Sequence, residues 1–370
     1  MIRPDAVELH LVRIPLVSSF RTSFGEEETK EAILVRVETD DGFGWGECAA
    51  AQEPRYSEEF NEGAWIVLRD HLAPSVLKAD EVEPEEVATT LGWVRGHRMA
   101  KAALETAVLD AELRSRDESL ASFLGADRER VPCGVSVGIA PSIDELLEQV
   151  AGYVRRGYVR VKLKIERGWD VLPVTEVREA FPDTPLSVDA NAAYRLEDIS
   201  MFEALDALEL MMIEQPLGAD ALLGHATLQR RLLTPVCLDE SIRSASDARA
   251  TIDMGACRIV NIKAGRVGGL LEARRVRDVA RDRGVPVWCG GMLETGVGRA
   301  ANLALAAMPG FTLPGDTSAS DRYFEDDLTE PFVLDPDGTI AVPKGPGIGV
   351  EPRPDRLEEC TVRSETVKPK

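Results

Sequence analysis

Hydrophobic and polar positions alternate strictly over residues 159–165, "VRVKLKI". Val159, Val161, Leu163 and Ile165 fall on one side; Arg160, Lys162 and Lys164 fall on the other. A period of two is the signature of a strand. Similar short runs follow at "LSVDA", "LMMIEQP", "PVCLDES", "CRIVNIK" and "VPVWCGG", with "CGVSVGI" before them and a weaker one near "FTLPGD" after them. Between them lie helical patterns such as "IDELLEQVAGYVRRG", "ISMFEALDALE" and "GLLEARRVRDVARDRG", several ending in the glycine that stops a helix. Strand–helix alternation predicts a parallel sheet covered on both faces. Two lysines on one face of a covered strand therefore require an explanation other than solvent.

Seven or eight such units over residues 131–320 predict a (β/α)7-8 TIM-like barrel. A doubly wound sheet is the alternative, and the lack of a glycine-rich first turn counts against it. Residues 1–130 read as an α+β capping unit. "AVELHLVRIPL" and "EAILVRVETDDGFGWGE" alternate as antiparallel strands with "DDGFG" as a turn, and "SSFRTSFGEEET" reads as a polar loop. "YSEEFNEGAWIVLRDHLAPSVL" and "HRMAKAALETAVLDAELRS" have helical periodicity. The segment 321–370 is loop-rich, with "LDPDGTIAVPKGPGIGV" resembling a hairpin, and is expected to pack back on the N-terminal unit.

Spacing adds chemistry to this frame. Lys164, Asp189, Glu214, Asp239 and Lys263 follow one another at steps of 25, 25, 25 and 24 residues. That is about one βα unit each time, so five successive strands present a polar residue at the same place. In a barrel the C-terminal strand ends form the active-site mouth. Three carboxylates converging there repel one another unless a cation joins them. Oxygen-only donors suit Mg²⁺ or Mn²⁺ rather than zinc. Lys164 and Lys263 flank the acids on the second and sixth strands, on opposite walls, and Lys162 shares the face of Lys164. Its charge is expected to depress the pKa of Lys164 and prepare a neutral base. The parts describe proton abstraction next to a metal-held carboxylate, with the enediolate charge stabilised on oxygen. A metal-free barrel aldolase using Lys164 or Lys263 as a Schiff base is the rival class.

Composition excludes other partners. The net charge of −21 disfavours nucleic acid and anionic membranes, and no apolar run reaches the length of a membrane span. The broken N-terminal hydrophobicity is unlike a signal peptide, and six scattered cysteines read as reduced thiols, so a cytoplasmic protein is expected.

The "KLK" pair, "VDAN", "IEQP", "LDES" and "NIKAGRVGG" resemble the muconate-lactonising branch of the enolase superfamily. "RTSFG", "GHRMAKAALE", "GVSVGI", "GGMLETGVGRA" and "LPGDTSASDRYF" further resemble its o-succinylbenzoate synthase/N-succinylamino acid (N-acylamino acid) racemase family. The resemblance implies that Asp189, Glu214 and Asp239 ligate Mg²⁺ and that Lys164 removes the α-proton, then assists loss of hydroxide. That is the syn dehydration of a hydroxycyclohexadiene carboxylate to o-succinylbenzoate, a step to menaquinone. It implies that Lys263 stabilises the enediolate and acts as the second base in racemisation, either beside the synthase reaction or as the sole activity. It also implies a substrate pocket of Lys162, Ser136, Asn191, Gly291 and Met292, an apolar wall of Phe20, Tyr56, Leu293 and Tyr323, and supporting residues Arg266 and Glu240. A homo-oligomer acting on a small carboxylate with a succinyl or N-acyl arm is the implied assembly and substrate.

Departures narrow this further. Where mandelate racemase-like members place a histidine after the seventh strand, this chain has Cys289-Gly290-Gly291. The Asp-x-Asp of dipeptide epimerases is Asp321-Arg322-Tyr323 here, which disfavours a free-amine dipeptide. Ala51 stands where a larger apolar side chain is expected in the pocket.

Overall fold

The computed structural model describes residues 1–79 and 81–369. Strands β1 (Pro4–Thr22), β2 (Gly25–Thr39) and β3 (Gly42–Cys48) form an antiparallel sheet. The segment expected to be a polar loop is instead the outer end of the β1–β2 hairpin: Phe20, Arg21 and Thr22 pair with Glu27, Glu26 and Gly25. Its threonines and phenylalanines suit a pleated surface, and only Ser23 and Phe24 remain as the turn. Helix α1 (Arg98–Ser115) lies directly on β3. A Cβ on Gly44 or Gly46 would overlap the backbone of Ala103, Ala107 and Ala111, so the glycines of "GFGWG" permit that contact.

The second layer is a seven-stranded parallel sheet in sequential order: β4 (Gly134–Val137), β5 (Arg160–Lys164), β6 (Leu186–Asp189), β7 (Ile213–Glu214), β8 (Val236–Leu238), β9 (Ile259–Ile262) and β10 (Val287–Cys289). Every residue of these strands is buried, as a sheet covered on both faces requires. All seven strong strand signals are therefore present. The weak eighth, "FTLPGD", forms no strand. Gly315 accepts from the Gly134 N–H and Asp316 donates to Cys289, so irregular backbone closes the barrel between β10 and β4. Two prolines and glycines in and around that run explain why no ladder forms.

Helices cover the outside. Ser142 caps α2 (Ile143–Arg156) by accepting from the Glu145 N–H, and Gly157 ends it at φ 97°. The tail is not a self-paired hairpin. Thr339–Ala341 pairs with Arg130–Pro132, and β11 (Thr361–Val367) adds to the free edge of β1. All six cysteines are buried and free. Among the described residues no helix is long and apolar enough to cross a membrane.

Candidate active site

Cross-strand register turns the regular spacing into geometry. Lys164 is paired with Asp189, and Asp189 with Glu214, directly across the ladder. Glu214 is paired with Cys237, which places Asp239 two residues further along its strand on the same face. Cys237 in turn pairs with Ile259, so Lys263 lies further along again, on the same face. Such a stagger is what tilted barrel strands need for groups to stay at one height around the axis. Ser136, paired with Lys162, completes the row on the other side.

The five side chains turn into the interior, where each acid is held by a cation. Lys164 Nζ lies 2.7 Å from Asp189 Oδ2 and 2.7 Å from Asn191 Oδ1. Lys263 Nζ lies 2.8 Å from Asp239 Oδ2, and Arg266 also pairs with Asp239. Lys162 Nζ is 2.9 Å from Glu214 Oε2 and 2.6 Å from Asp316 Oδ2. Asn261 donates to the other Glu214 oxygen at 2.6 Å. Burial alone would raise Asp189, but Lys164 and Lys162 hold it well below the usual carboxylate range. Burial and the neighbouring Asp189 charge raise Glu214. Glu240 is pushed up to about 7 by burial and by Asp189, and accepts from Asn191 Nδ2 at 3.3 Å.

The Lys162 ammonium, on the same face as Lys164, is held among acids. Burial would lower the Lys162 ammonium, but Asp316, Glu214 and Asp189 push the other way and raise it. Its charge is thus met by acids on three sides. Lys263 is likewise raised, burial being outweighed by Tyr56, Glu214, Glu240 and Asp189.

Above this layer is a cavity that opens toward solvent. Lys162, Lys164, Lys263, Ser136, Asn191, Gly291, Met292, Leu293, Phe20, Tyr56 and Tyr323 all line it, as does Ala51. The three acids lie beneath it, under their lysines. Arg266 and Glu240 border an adjoining cavity that shares Tyr56. The Ser136 hydroxyl is buried with no hydrogen-bond partner in the protein. The Met292 backbone, expected to be open to a ligand, is already engaged: its N–H donates to Glu294 at 2.8 Å and its carbonyl accepts from Lys30 at 2.9 Å. Among the described residues seven non-glycine residues have positive φ, and two of them, Asn191 and Leu293, line this cavity. Strained backbone of this kind concentrates at functional sites.

As they stand, no three acidic, histidine or cysteine side chains among the described residues are gathered around one point that could hold a metal ion. Each acid is turned onto a cation instead. The donor chemistry nevertheless fits a hard divalent ion: Asp189, Glu214 and Asp239 are buried, adjacent in the barrel wall and supply only oxygen.

Comparison with known proteins agrees with this architecture. Residues 6–125 match the N-terminal domain of mandelate racemase/muconate lactonizing enzymes, and residues 145–356 match the enolase C-terminal domain-like family. The chain belongs to the enolase superfamily. An N-succinylamino acid racemase from an Amycolatopsis species is 57% identical over 96% of this chain and 97% of its own. An o-succinylbenzoate synthase from Geobacillus kaustophilus is 49% identical over 96% of each. A crystal structure of an enolase superfamily member from Listeria innocua superposes with a TM-score of 0.94, at 40% identity and full coverage of both chains.

As an enolase superfamily member the chain is an enzyme, and enzymes with these two domains depend on a divalent metal. Six residues lining this cavity, Thr22, Phe24, Glu27, Lys30, Ala49 and Asp316, were not singled out from the sequence. Asp316 lies in the irregular closing segment, where no strand pattern marked it. Lys30 lies on β2, where alternation alone reads as a solvated face.

Proposed function

We propose that this enzyme is an o-succinylbenzoate synthase that also racemises N-succinylamino acids, with Asp189, Glu214 and Asp239 holding Mg²⁺. The observation that carries the reading is the placement of Lys164 and Lys263 on strand ends four strands apart, both opening into one cavity. A divalent ion held there supplies a Lewis acid for the substrate carboxylate.

The chain's own groups do the rest. A substrate α-carbon between the two lysines presents one face to each ammonium site. Lys164, once it has given up its proton, removes the α-hydrogen as a general base. In the dehydration the same ammonium returns that proton to the departing hydroxide on the same face, so water leaves and the ring becomes aromatic. Lys263, from the opposite face, balances the charge that develops next to the carboxylate. In racemisation Lys263 instead delivers a proton to the α-carbon, inverting it, and the roles exchange for the other enantiomer. Asn191 orients Lys164 through its 2.7 Å contact, and Tyr56 places its hydroxyl 3.1 Å from Lys263 Nζ.

The test is a side-by-side assay of the purified protein with the hydroxycyclohexadiene carboxylate and with N-succinyl-phenylalanine, each with Mg²⁺ and with EDTA. Turnover of both, lost in EDTA and restored by Mg²⁺, is expected. Turnover of only the amino acid would make this a dedicated racemase; turnover of neither would overturn the reading.

A further inference from the structure

Four lysines line the cavity: Lys30, Lys162, Lys164 and Lys263. Three are held on carboxylates within 3 Å. Lys30 differs. It comes from β2 of the N-terminal sheet and is 3% exposed. It donates to one neutral partner, the Met292 carbonyl, at 2.9 Å. Among the described residues no carboxylate lies within ion-pair distance of it. The Lys30 charge acts on Glu47, which accepts from Thr295 and Gly298 at the start of the helix Gly296–Ala306, and Glu27 faces the same cavity from the hairpin. A buried ammonium with one carbonyl partner has unused donors, and burying such a charge without a counter-ion is costly.

Resting on the function proposed above, the substrates point to what fills this vacancy in hydrogen bonding. A hydroxycyclohexadiene precursor and an N-succinylamino acid differ at the reacting carbon's neighbours but share a four-carbon arm that ends in a second carboxylate. One carboxylate belongs over the acid layer, at the reacting centre. The other must be recognised elsewhere in the cavity. We infer that Lys30 is the specificity residue for that distal carboxylate, so the enzyme selects dicarboxylates carrying a succinyl arm over neutral N-acyl analogues. The loop 291–293, which shares the cavity wall with Lys30, fixes where the ammonium sits through the Met292 carbonyl.

The experiment compares N-succinyl-phenylalanine with its succinamoyl analogue, in which the terminal carboxylate is an uncharged amide of nearly the same shape. In the wild-type enzyme the amide is expected to lose about 10- to 100-fold in kcat/KM, the scale of a charge-assisted hydrogen bond, chiefly through KM. Lys30→Met should bring the ratio between the two substrates close to one, and Lys30→Arg should restore the preference. A residue that only props the loop would lower turnover of both substrates and leave the ratio unchanged, which would overturn the inference. Equal use of both substrates by the wild type would overturn it whether or not the variant folds. Wild-type failure to turn over N-succinyl-phenylalanine at all would instead count against the proposed function.

Discussion

The Tyr56 hydroxyl donates to Asp239 Oδ1 at 3.1 Å, so a side chain of the N-terminal unit reaches the acid layer at the core of the barrel. The same oxygen accepts from Lys263 Nζ at 3.1 Å, and the ammonium lies 4.5 Å from the ring centroid. Burial raises the Tyr56 pKa, which keeps the phenol a neutral donor. Tyr56→Phe retains the ring but removes both hydrogen bonds. Kcat/KM is expected to fall about 10-fold, as for hydrogen bonds to charged groups, with a nearly unchanged melting temperature. Steady-state kinetics alongside a thermal melt checks this, and an unaltered rate would show that the hydroxyl is dispensable.

The two lysines make separable predictions. Lys164→Ala should slow exchange of one enantiomer's α-proton with deuterated solvent by at least ~10²-fold, the scale of a general base. Lys263→Ala should do the same for the other enantiomer. Dehydration should suffer from either change. NMR of N-succinyl-phenylalanine enantiomers in D₂O provides the readout. Identical losses for both enantiomers in both variants would contradict a two-faced site.

Asp316 holds the barrel seam. It pairs with Lys162 at 2.6 Å and with Arg160, which is fully buried 4.8 Å from the Trp288 ring centroid. Removing one partner of such a buried group leaves uncompensated charge, so Asp316→Asn should cost about 3–5 kcal/mol of unfolding free energy in denaturant titration. Burial would raise this carboxyl, but Lys162 and Arg160 hold it far below its ordinary value of 3.8. Its folded pKa is depressed, so its stabilisation is full above about pH 4 and fades only as pH drops further toward the folded value. The variant should therefore lose least relative to wild type in strong acid. A denaturation series from pH 7 to pH 2 that shows a constant difference would refute the assignment.

These residues also mark what the sequence could reveal. Lys164, Asp189 and Glu214 were legible because one βα unit per step leaves them paired across the ladder. Asp239 and Lys263 were found by the same count, although register places them progressively further along their strands. Substrate-facing residues from the N-terminal unit came only through family resemblance, since long-range docking of β1, β2 and the 50s segment leaves no local period. Asp316 was missed because irregular backbone closes the barrel there. Lys30 was missed because a two-residue period cannot distinguish a face toward water from a face toward a cavity.

Glu105 joins the two units from the other side, and its behaviour with pH follows from its position. It stands on α1, 1% exposed, and accepts from the Leu271 N–H at 3.1 Å at the start of the helix Leu270–Arg281. A Cβ at Gly269, whose φ is 145°, would overlap this carboxyl, so glycine there allows the approach. Burial pushes the Glu105 pKa up from 4.5 to about 7, despite the opposing backbone donors. Between those values the folded protein holds a proton that the unfolded chain has released. Stability contributed by this group is thus complete below about pH 4.5 and is lost as pH rises through about 7, by about 3 kcal/mol in all. Glu105→Gln, which cannot ionise, should flatten that part of the pH–stability curve between pH 5 and pH 8. Gly269→Ala should destabilise at every pH, through the steric clash and the positive φ together. Denaturant midpoints across that range check both; a Glu105→Gln curve parallel to wild type would mean that the carboxyl is not the titrating group.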